Sequence, residues 1–381
     1  MKKIGLCIVY NHRNYGSMLQ ALATVKSIQK LGFELEIIRY KKNLSFIFKV
    51  IPKLFTYDFL KGKYKRLQKK ISLLFYGKIK QNNKIRNEYF KAFCENKFGN
   101  HLSPICNGYK KLCESSLNYS AILSGSDQLW LPSGLSTNFY NLMFVPKDIP
   151  KISYASSFGV SKIPLHQRKR TAEFLSRIEY ISVREIAGQK IIKELAGKNI
   201  PLVCDPTLLL TKEEWKQEIP KKEFFDKPYI LAYLLGPNRK HRIAVNELKE
   251  KTKLPIIALR HLDQYVAGDE NFGDFAPYNV GPEEFINLIR FAEFICTDSF
   301  HGTVFSCLHN KQFLTFDRYS SKEAASRNSR IDSLLKTFCL EGRRFNGNIM
   351  EIQKEIDWKL TEEKINELRH SSFKFLKGAL K

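Results

Sequence analysis

Short apolar runs that stop abruptly at small polar residues, each followed by a helical pattern, constrain this chain more than any other feature. The clearest begins at Phe291 and ends at Ile295-Cys296, which reads as a buried parallel strand. It stops at Thr297-Asp298-Ser299, and a helical pattern starts near Gly302 and runs through Phe305, Cys307 and Leu308. In an open α/β sheet the carboxyl ends of strands form the ligand crevice, and the next helix offers unpaired N–H groups to an anion. His301 falls in that loop. Its plainer reading is a solvated loop histidine.

The same alternation recurs in two halves. Residues 4–10 and 33–40 read as strands, and between them Leu19, Leu22, Ala23, Val25, Ile28 and Leu31 have helical spacing, with Gly16 or Ser17 placed to start the helix and Gly32 to close it. Strands are expected again over 119–123, 151–155 and 180–183, with helices over 167–177 and 185–195. A charged connector, 212–227, leads to strands at 229–235, 256–259, 294–296 and 313–316, and Pro282 opens a helix that runs to Phe291. The expectation is α/β: two doubly wound, Rossmann-like domains facing a cleft, over residues 1–211 and 228–345. A mainly helical, basic insertion occupies about 41–117, and C-terminal helices occupy 346–381, with a helical pair over 350–376.

The 381 residues suffice for two such cores, and a hydrophobic content of 43% fits a water-soluble globular chain. The apolar run 4–10 is too short for a signal peptide, lacks a small-residue cleavage site and runs into Asn11-His12-Arg13-Asn14. No run is long enough to span a bilayer, so a cytoplasmic location is expected. Eight cysteines show no Cys-x-x-Cys pair and no zinc spacing, and all are expected to be reduced.

The net charge of +25 is concentrated. Residues 41–91 hold fifteen Lys or Arg against Asp58 and Glu88. Large apolar residues are interleaved there, among them Phe46, Phe48, Phe55, Tyr57, Phe59, Phe75 and Tyr76. Basic residues mixed with exposed apolar ones suit an anionic lipid surface, where each cation contributes about 1 kcal/mol. The competing reading is the solvated face of an inserted subdomain. Nucleic acid is disfavoured, because no zinc finger, helix-turn-helix or RNA-binding aromatic pattern is present.

Five segments add specificity: Asn11-His12-Arg13-Asn14-Tyr15-Gly16-Ser17, Ser124-Gly125-Ser126-Asp127-Gln128-Leu129-Trp130, Ser153-Tyr154-Ala155-Ser156-Ser157-Phe158-Gly159, Ile181-Ser182-Val183-Arg184-Glu185 and Val203-Cys204-Asp205-Pro206-Thr207. Together with Asp298-Ser299-Phe300-His301-Gly302, in this order, the set resembles the polysaccharide pyruvyl transferase family over roughly residues 1–340. The resemblance implies a GT-B-like fold and phosphoenolpyruvate as co-substrate, with no cofactor. It also implies a sugar acceptor on a lipid-linked or polymeric glycan of an exopolysaccharide or capsule pathway. The product would be a cyclic pyruvate ketal, with phosphate released. With the basic segment 41–91, it suggests a peripheral protein on the inner face of the cell membrane.

A donor carrying both carboxylate and phosphate needs several fixed cations, and arginine binds either oxyanion with a planar fork. Arg184 at a strand end is the first choice, with an ion pair to Glu185 or to a neighbouring helix as the alternative. Arg318, Arg327 and Arg330 are further candidates, of which at least one is expected to be an ordinary surface residue. Ser299, His301 and Gly302 complete the expected donor side. His301 is the expected acid, since an imidazole ordinarily titrates near neutral pH. It matches a family histidine, but Ser299-Phe300 stand where many relatives have Arg-Leu, which removes one donor-binding arginine. Asn14, Tyr15, Gly16, Ser126 and Asp127 are expected to face the acceptor, Asp127 as base or, alternatively, as a helix cap. Asp205 before Pro206 reads as a turn residue, and no metal is expected. The rival activity is a GT-B nucleotide-sugar glycosyltransferase using Glu283 or Glu284 for the ribose. A non-catalytic membrane scaffold is a third reading.

Overall fold

The computed structural model describes residues 3–43, 77–132, 138–261, 266–318 and 328–381. The first half holds a six-stranded sheet formed by β1 (Lys3–Cys7), β2 (Glu34–Lys41), β3 (Leu102–Asn107), β4 (Ala121–Ser124), β5 (Lys151–Ser156) and β6 (Tyr180–Val183). The order is β3-β2-β1-β4-β5-β6 and every pairing is parallel. Helices α1 (Tyr15–Lys30), α2 (Gly77–Phe98), α3 (Tyr109–Ser116), α4 (Leu165–Arg177) and α5 (Ile186–Ala196) connect them. The central strands β1 and β4 are buried along nearly their whole length, hence their apolar runs.

Two features differ in detail from the expectation. Besides helices, the 41–117 region contributes β3, which joins the sheet as its edge strand. Pro104 hides that strand from a propensity reading, yet an edge position tolerates its missing N–H. Helix α1 also begins earlier than expected, at Tyr15, because Asn14 Oδ1 accepts the Ser17 N–H at 3.1 Å and caps it.

After α6 (Lys212–Glu218), the second half builds a four-stranded parallel sheet from β7 (Ile230–Tyr233), β8 (Ile256–Ala258), β9 (Phe294–Thr297) and β10 (Gln312–Thr315), in the order β10-β9-β7-β8. Its helices are α7 (Arg239–Thr252), α8 (Pro282–Phe291), α9 (Phe300–Leu308) and α10 (Ser329–Thr337). The expected terminal helical pair is instead a 3-10 turn, Ile349–Gln353, and one long helix, α11 (Trp358–Leu380). That helix returns to the first half, where Ser372 Oγ accepts the Cys204 N–H at 2.9 Å and Arg369 Nε donates to Leu208 O at 2.6 Å.

A continuous apolar core joins the halves. Tyr15 is buried at the junction, stacked on Phe285 at 4.7 Å and against Phe90 at 5.0 Å, with its hydroxyl donating to Val280 O at 3.2 Å. Part of the basic segment is structural too. Arg86 in α2 is fully buried, donates to Arg260 O at 2.8 Å and Pro277 O at 2.7 Å, and lies over Tyr278. Residues 44–76, with the aromatic groups read as lipid-facing, lie outside the described residues.

Candidate active site

The carboxyl ends of both sheets converge on a cavity of about 430 Å³ between the halves. Asn14, Ser17 and Asp127 line it from the first half; Ser299, His301, Arg318 and Arg330 line it from the second. This is the crevice position that parallel sheets generate, since every β-to-α loop opens on the same side.

His301 enters through a close approach. It lies in the first turn of α9, whose cap Ser299 accepts the Gly302 N–H at 3.3 Å. Its ring rests on Gly16, where an added Cβ would stand only 2.0 Å from His301 Nδ1. Glycine at 16 is therefore dictated by the histidine of the other half, not by backbone conformation. Gly302 is set the same way, its missing Cβ leaving room for Thr297 Oγ1.

Behind His301 lies a buried network of two carboxylates and an arginine. Arg184 Nη1 pairs with Asp205 Oδ2 and donates to Ser126 Oγ at 3.1 Å, while its Nη2 lies 3.5 Å from Asp127 Oδ1. His301 Nε2 is 3.7 Å from Asp205 Oδ2. Burial opposes charge on Asp205, but Arg184, His301 and the Thr207 hydroxyl outweigh it and hold its carboxyl far below the usual range. Asp127 is likewise lowered: burial works against it, while Arg184, His301 and the Ser17 hydroxyl, 2.6 Å from Oδ2, prevail. Asp127 also adopts a left-handed φ of 89°, unusual for a residue with a side chain and common at functional sites. Residues 128–130 directly after it form a bend and a turn, so the helix-cap alternative does not apply.

Arg184 differs from the expectation in two ways. Its ion-pair partners are Asp205 and Asp127, whereas the neighbouring Glu185 accepts from Ser157 Oγ at 2.8 Å. Its side chain is 1% exposed and sits beneath the Phe300 ring, 4.7 Å from the centroid, so it does not line the cavity.

Arg330, unlike Arg184, reaches the cavity. Its guanidinium lies 5.7 Å from the same Phe300 ring, and its Nε is 3.9 Å from Glu185 Oε2, beyond hydrogen-bonding distance. No described residue hydrogen-bonds to Nε. Burial first, and the charge of Arg184 second, push its pKa down to about 10. Arg318 lies beside it at the cavity wall, with Nη2 donating to Asp298 O at 3.0 Å. The Asp298 carboxylate accepts the Leu235 and Gly236 N–H groups at 2.7 and 2.6 Å, fixing the loop after β7.

The structure thus brings Asn14, Asp127, Ser299, His301, Arg318 and Arg330 to one cavity, with Gly16 and Gly302 packed at its wall and Ser126 and Arg184 behind it. Tyr15 is a correction: it turns away into the junction core, because a large ring that can stack on Phe285 is better buried there. Arg327 lies outside the described residues. The sequence reading underrated Asp205, because Asp-Pro-Thr is a complete local turn; Asp205 Oδ1 does accept the Thr207 N–H at 3.1 Å. It missed Ser17 and Phe300 as site residues, since only tertiary contacts give them roles. Glu283 and Glu284, the ribose candidates of the rival activity, are elsewhere: Glu283 meets Lys97 at 3.3 Å, Glu284 accepts the Gly281 N–H at 2.9 Å, and both line a different cavity. Among the described residues no cluster of three or more His, Cys, Asp or Glu has metal-binding geometry, and no helix is long and apolar enough to cross a membrane.

No curated protein matches the chain in sequence. Among solved structures, S. aureus MnaA in complex with UDP superposes with a TM-score of 0.50 at 13% identity, covering 98% of this chain and 91% of that one. The UDP-GlcNAc 2-epimerase of Methanocaldococcus jannaschii gives 0.47 at 12% identity, covering 96% and 92%. E. coli heptosyltransferase WaaC with ADP gives 0.36 at 10% identity, covering 85% and 89%. Such identities speak to fold alone, and the fold is the GT-B-like pair of Rossmann-like halves. The polysaccharide pyruvyl transferase family model matches residues 14–321, from the cap of α1 through both sheets to beyond Arg318. With that span including the loops that carry Asp127, Arg184, Asp205 and His301, the chain belongs to the polysaccharide pyruvyl transferase family, a family of enzymes.

Proposed function

We propose that this enzyme moves the enolpyruvyl group of phosphoenolpyruvate onto a sugar of a lipid-linked bacterial polysaccharide precursor, closes a cyclic pyruvate ketal and releases phosphate. The observation that carries the reading is Arg330, a guanidinium whose side chain is 12% exposed, facing the cavity with its Nε unbonded. A largely buried guanidinium N–H without a hydrogen bond is costly, and an oxyanion that accepts it relieves the cost. Arg318 flanks it on the same wall.

Protonation of the donor methylene carbon leaves a cation-like centre at the carbon bearing the phosphate. His301 is the assigned proton source, its ring oriented by Gly16 beneath it and Asp205 beside Nε2. A first sugar hydroxyl adds to that centre and loses its proton towards Asp127, which is ionised and lines the cavity. The second hydroxyl then displaces phosphate and closes the ring. Of the two hydroxyl protons, one balances that given to the methylene carbon and the other leaves with phosphate. Arg330 and Arg318 neutralise the departing group, so no step requires a metal.

The family's acceptors would be reached at the anionic inner face of the membrane through the basic segment 41–91. Flotation with anionic vesicles and not with neutral ones is expected, and equal flotation with both would remove the electrostatic part of this reading.

The direct test is thermal stabilisation by phosphoenolpyruvate, beside UDP, UDP-sugars and inorganic phosphate. At about 100 times its dissociation constant a ligand adds roughly 2.7 kcal/mol. Selective stabilisation by phosphoenolpyruvate is expected. Stabilisation by a UDP-sugar alone would turn the assignment to glycosyl transfer.

A further inference from the structure

A second cavity, of about 520 Å³, opens at the carboxyl ends of β1 and β2 beside the first. Tyr140 lines both. The chain after β1 serves the two in turn, with Val9 and His12 facing the reaction cavity and Ile8, Tyr10 and Asn11 facing the second. Its walls are aromatic, with Tyr40 and Tyr140 partly buried around a buried Phe139: Tyr40 stacks on Phe139 at 5.6 Å, and Phe139 meets Tyr140 edge-on at 5.0 Å. Its rim is basic, with Arg39 and the exposed Lys41. Described acidic side chains do not line it.

From this juxtaposition we infer that the second cavity is an acceptor subsite, which stacks a further sugar ring of the glycan on its tyrosines and pairs an oxyanion of that glycan with Arg39 and Lys41. The inference rests on the reading of the first cavity as the transfer site, since a single acceptor spans both. The physical case is the mix of groups. Half-buried aromatic faces offer large apolar contact at little entropic cost, and the tyrosine hydroxyls bond to sugar hydroxyls. The cations select an anionic chain over a neutral one, whether its charge is a carrier diphosphate or a uronate carboxylate.

The test titrates the full-length protein with three probes: a short-chain prenyl-diphospho-N-acetylglucosamine, a hexuronate tetrasaccharide and a neutral tetrasaccharide. One anionic probe is expected to bind at least about tenfold tighter than the neutral one, and whichever it is identifies the source of the charge. Lys41→Glu is expected to erase that preference. Tyr40→Ala is expected to weaken every probe, while Tyr40→Phe keeps most of the stacking. Equal binding of all three probes by the unaltered protein overturns the inference, as does unchanged anionic binding in Lys41→Glu. Lys41 is exposed at a strand end, so that variant folds even if Tyr40→Ala does not. Phosphoenolpyruvate stabilisation is measured in parallel. Its loss in Lys41→Glu also overturns a separate subsite, whereas its absence in the unaltered protein defeats the donor assignment and leaves the glycan titrations to stand alone.

Discussion

Replacing Arg330 with alanine is expected to weaken phosphoenolpyruvate binding by about 10- to 100-fold while leaving the ligand-free protein as stable as before, or more so. The affinity loss follows from removing charge-assisted hydrogen bonds, each contributing about 1.5–3 kcal/mol. The stability effect has the opposite sign, because Arg330 is a desolvated cation whose nearest carboxylate, Glu185, lies 3.9 Å away. Arg330→Lys keeps the charge but loses the planar fork, and partial recovery is expected. Thermal melts with and without phosphoenolpyruvate read both effects at once. A variant that melts lower without ligand and binds the donor normally would make Arg330 a structural residue.

Asp205→Ala is expected to destabilise the protein by about 3–5 kcal/mol, the usual penalty for leaving a buried ionic partner uncompensated. Asp205 is the closest ion-pair partner of Arg184 and lies 3.7 Å from His301 Nε2, and its side chain is fully buried. Exchanging the pair together, as Arg184→Met with Asp205→Leu, is expected to recover much of that stability but no activity, since His301 loses its orienting group. The same pair sets an acid limit. Asp205 and Asp127 both have folded-state pKa values below the unfolded carboxylate value of about 3.9, so the unfolded chain binds more protons as pH falls. Their contribution is complete above about pH 5 and is lost as pH drops through the folded values. Chemical denaturation between pH 7 and pH 3 should show a steeper loss in the unaltered protein than in the Arg184→Met, Asp205→Leu exchange. Parallel curves would remove the pair from the explanation.

Much of the fold is legible along the chain, because parallel strands buried on both faces must be apolar without interruption and their connecting helices must be amphipathic. Runs such as 4–7, 230–233 and 294–297 carry that signal, and Asp298 to His301 mark a crevice loop by position alone. Edge strand β3 was not legible, since Pro104 and its mixed burial belong to a place in the sheet that only the partner strand β2 defines. The terminal helix shows the same limit: its period is visible, but its docking through Arg369 and Ser372 is not.

For the site, the sequence by itself determined the chemical inventory, namely one histidine, several arginines and Asp127 at the ends of strands. Which cation is available and which is already neutralised was decided only by the tertiary structure. Arg184 and Arg330 look alike in the chain, yet one is held against Asp205 beneath Phe300 and the other lines the cavity with Glu185 3.9 Å from its Nε. Gly16 and His301 stand 285 positions apart and touch. The physical reason is common to both: charge pairing and close packing depend on distances of 3 to 4 Å between distant segments, and local periodicity carries no record of them.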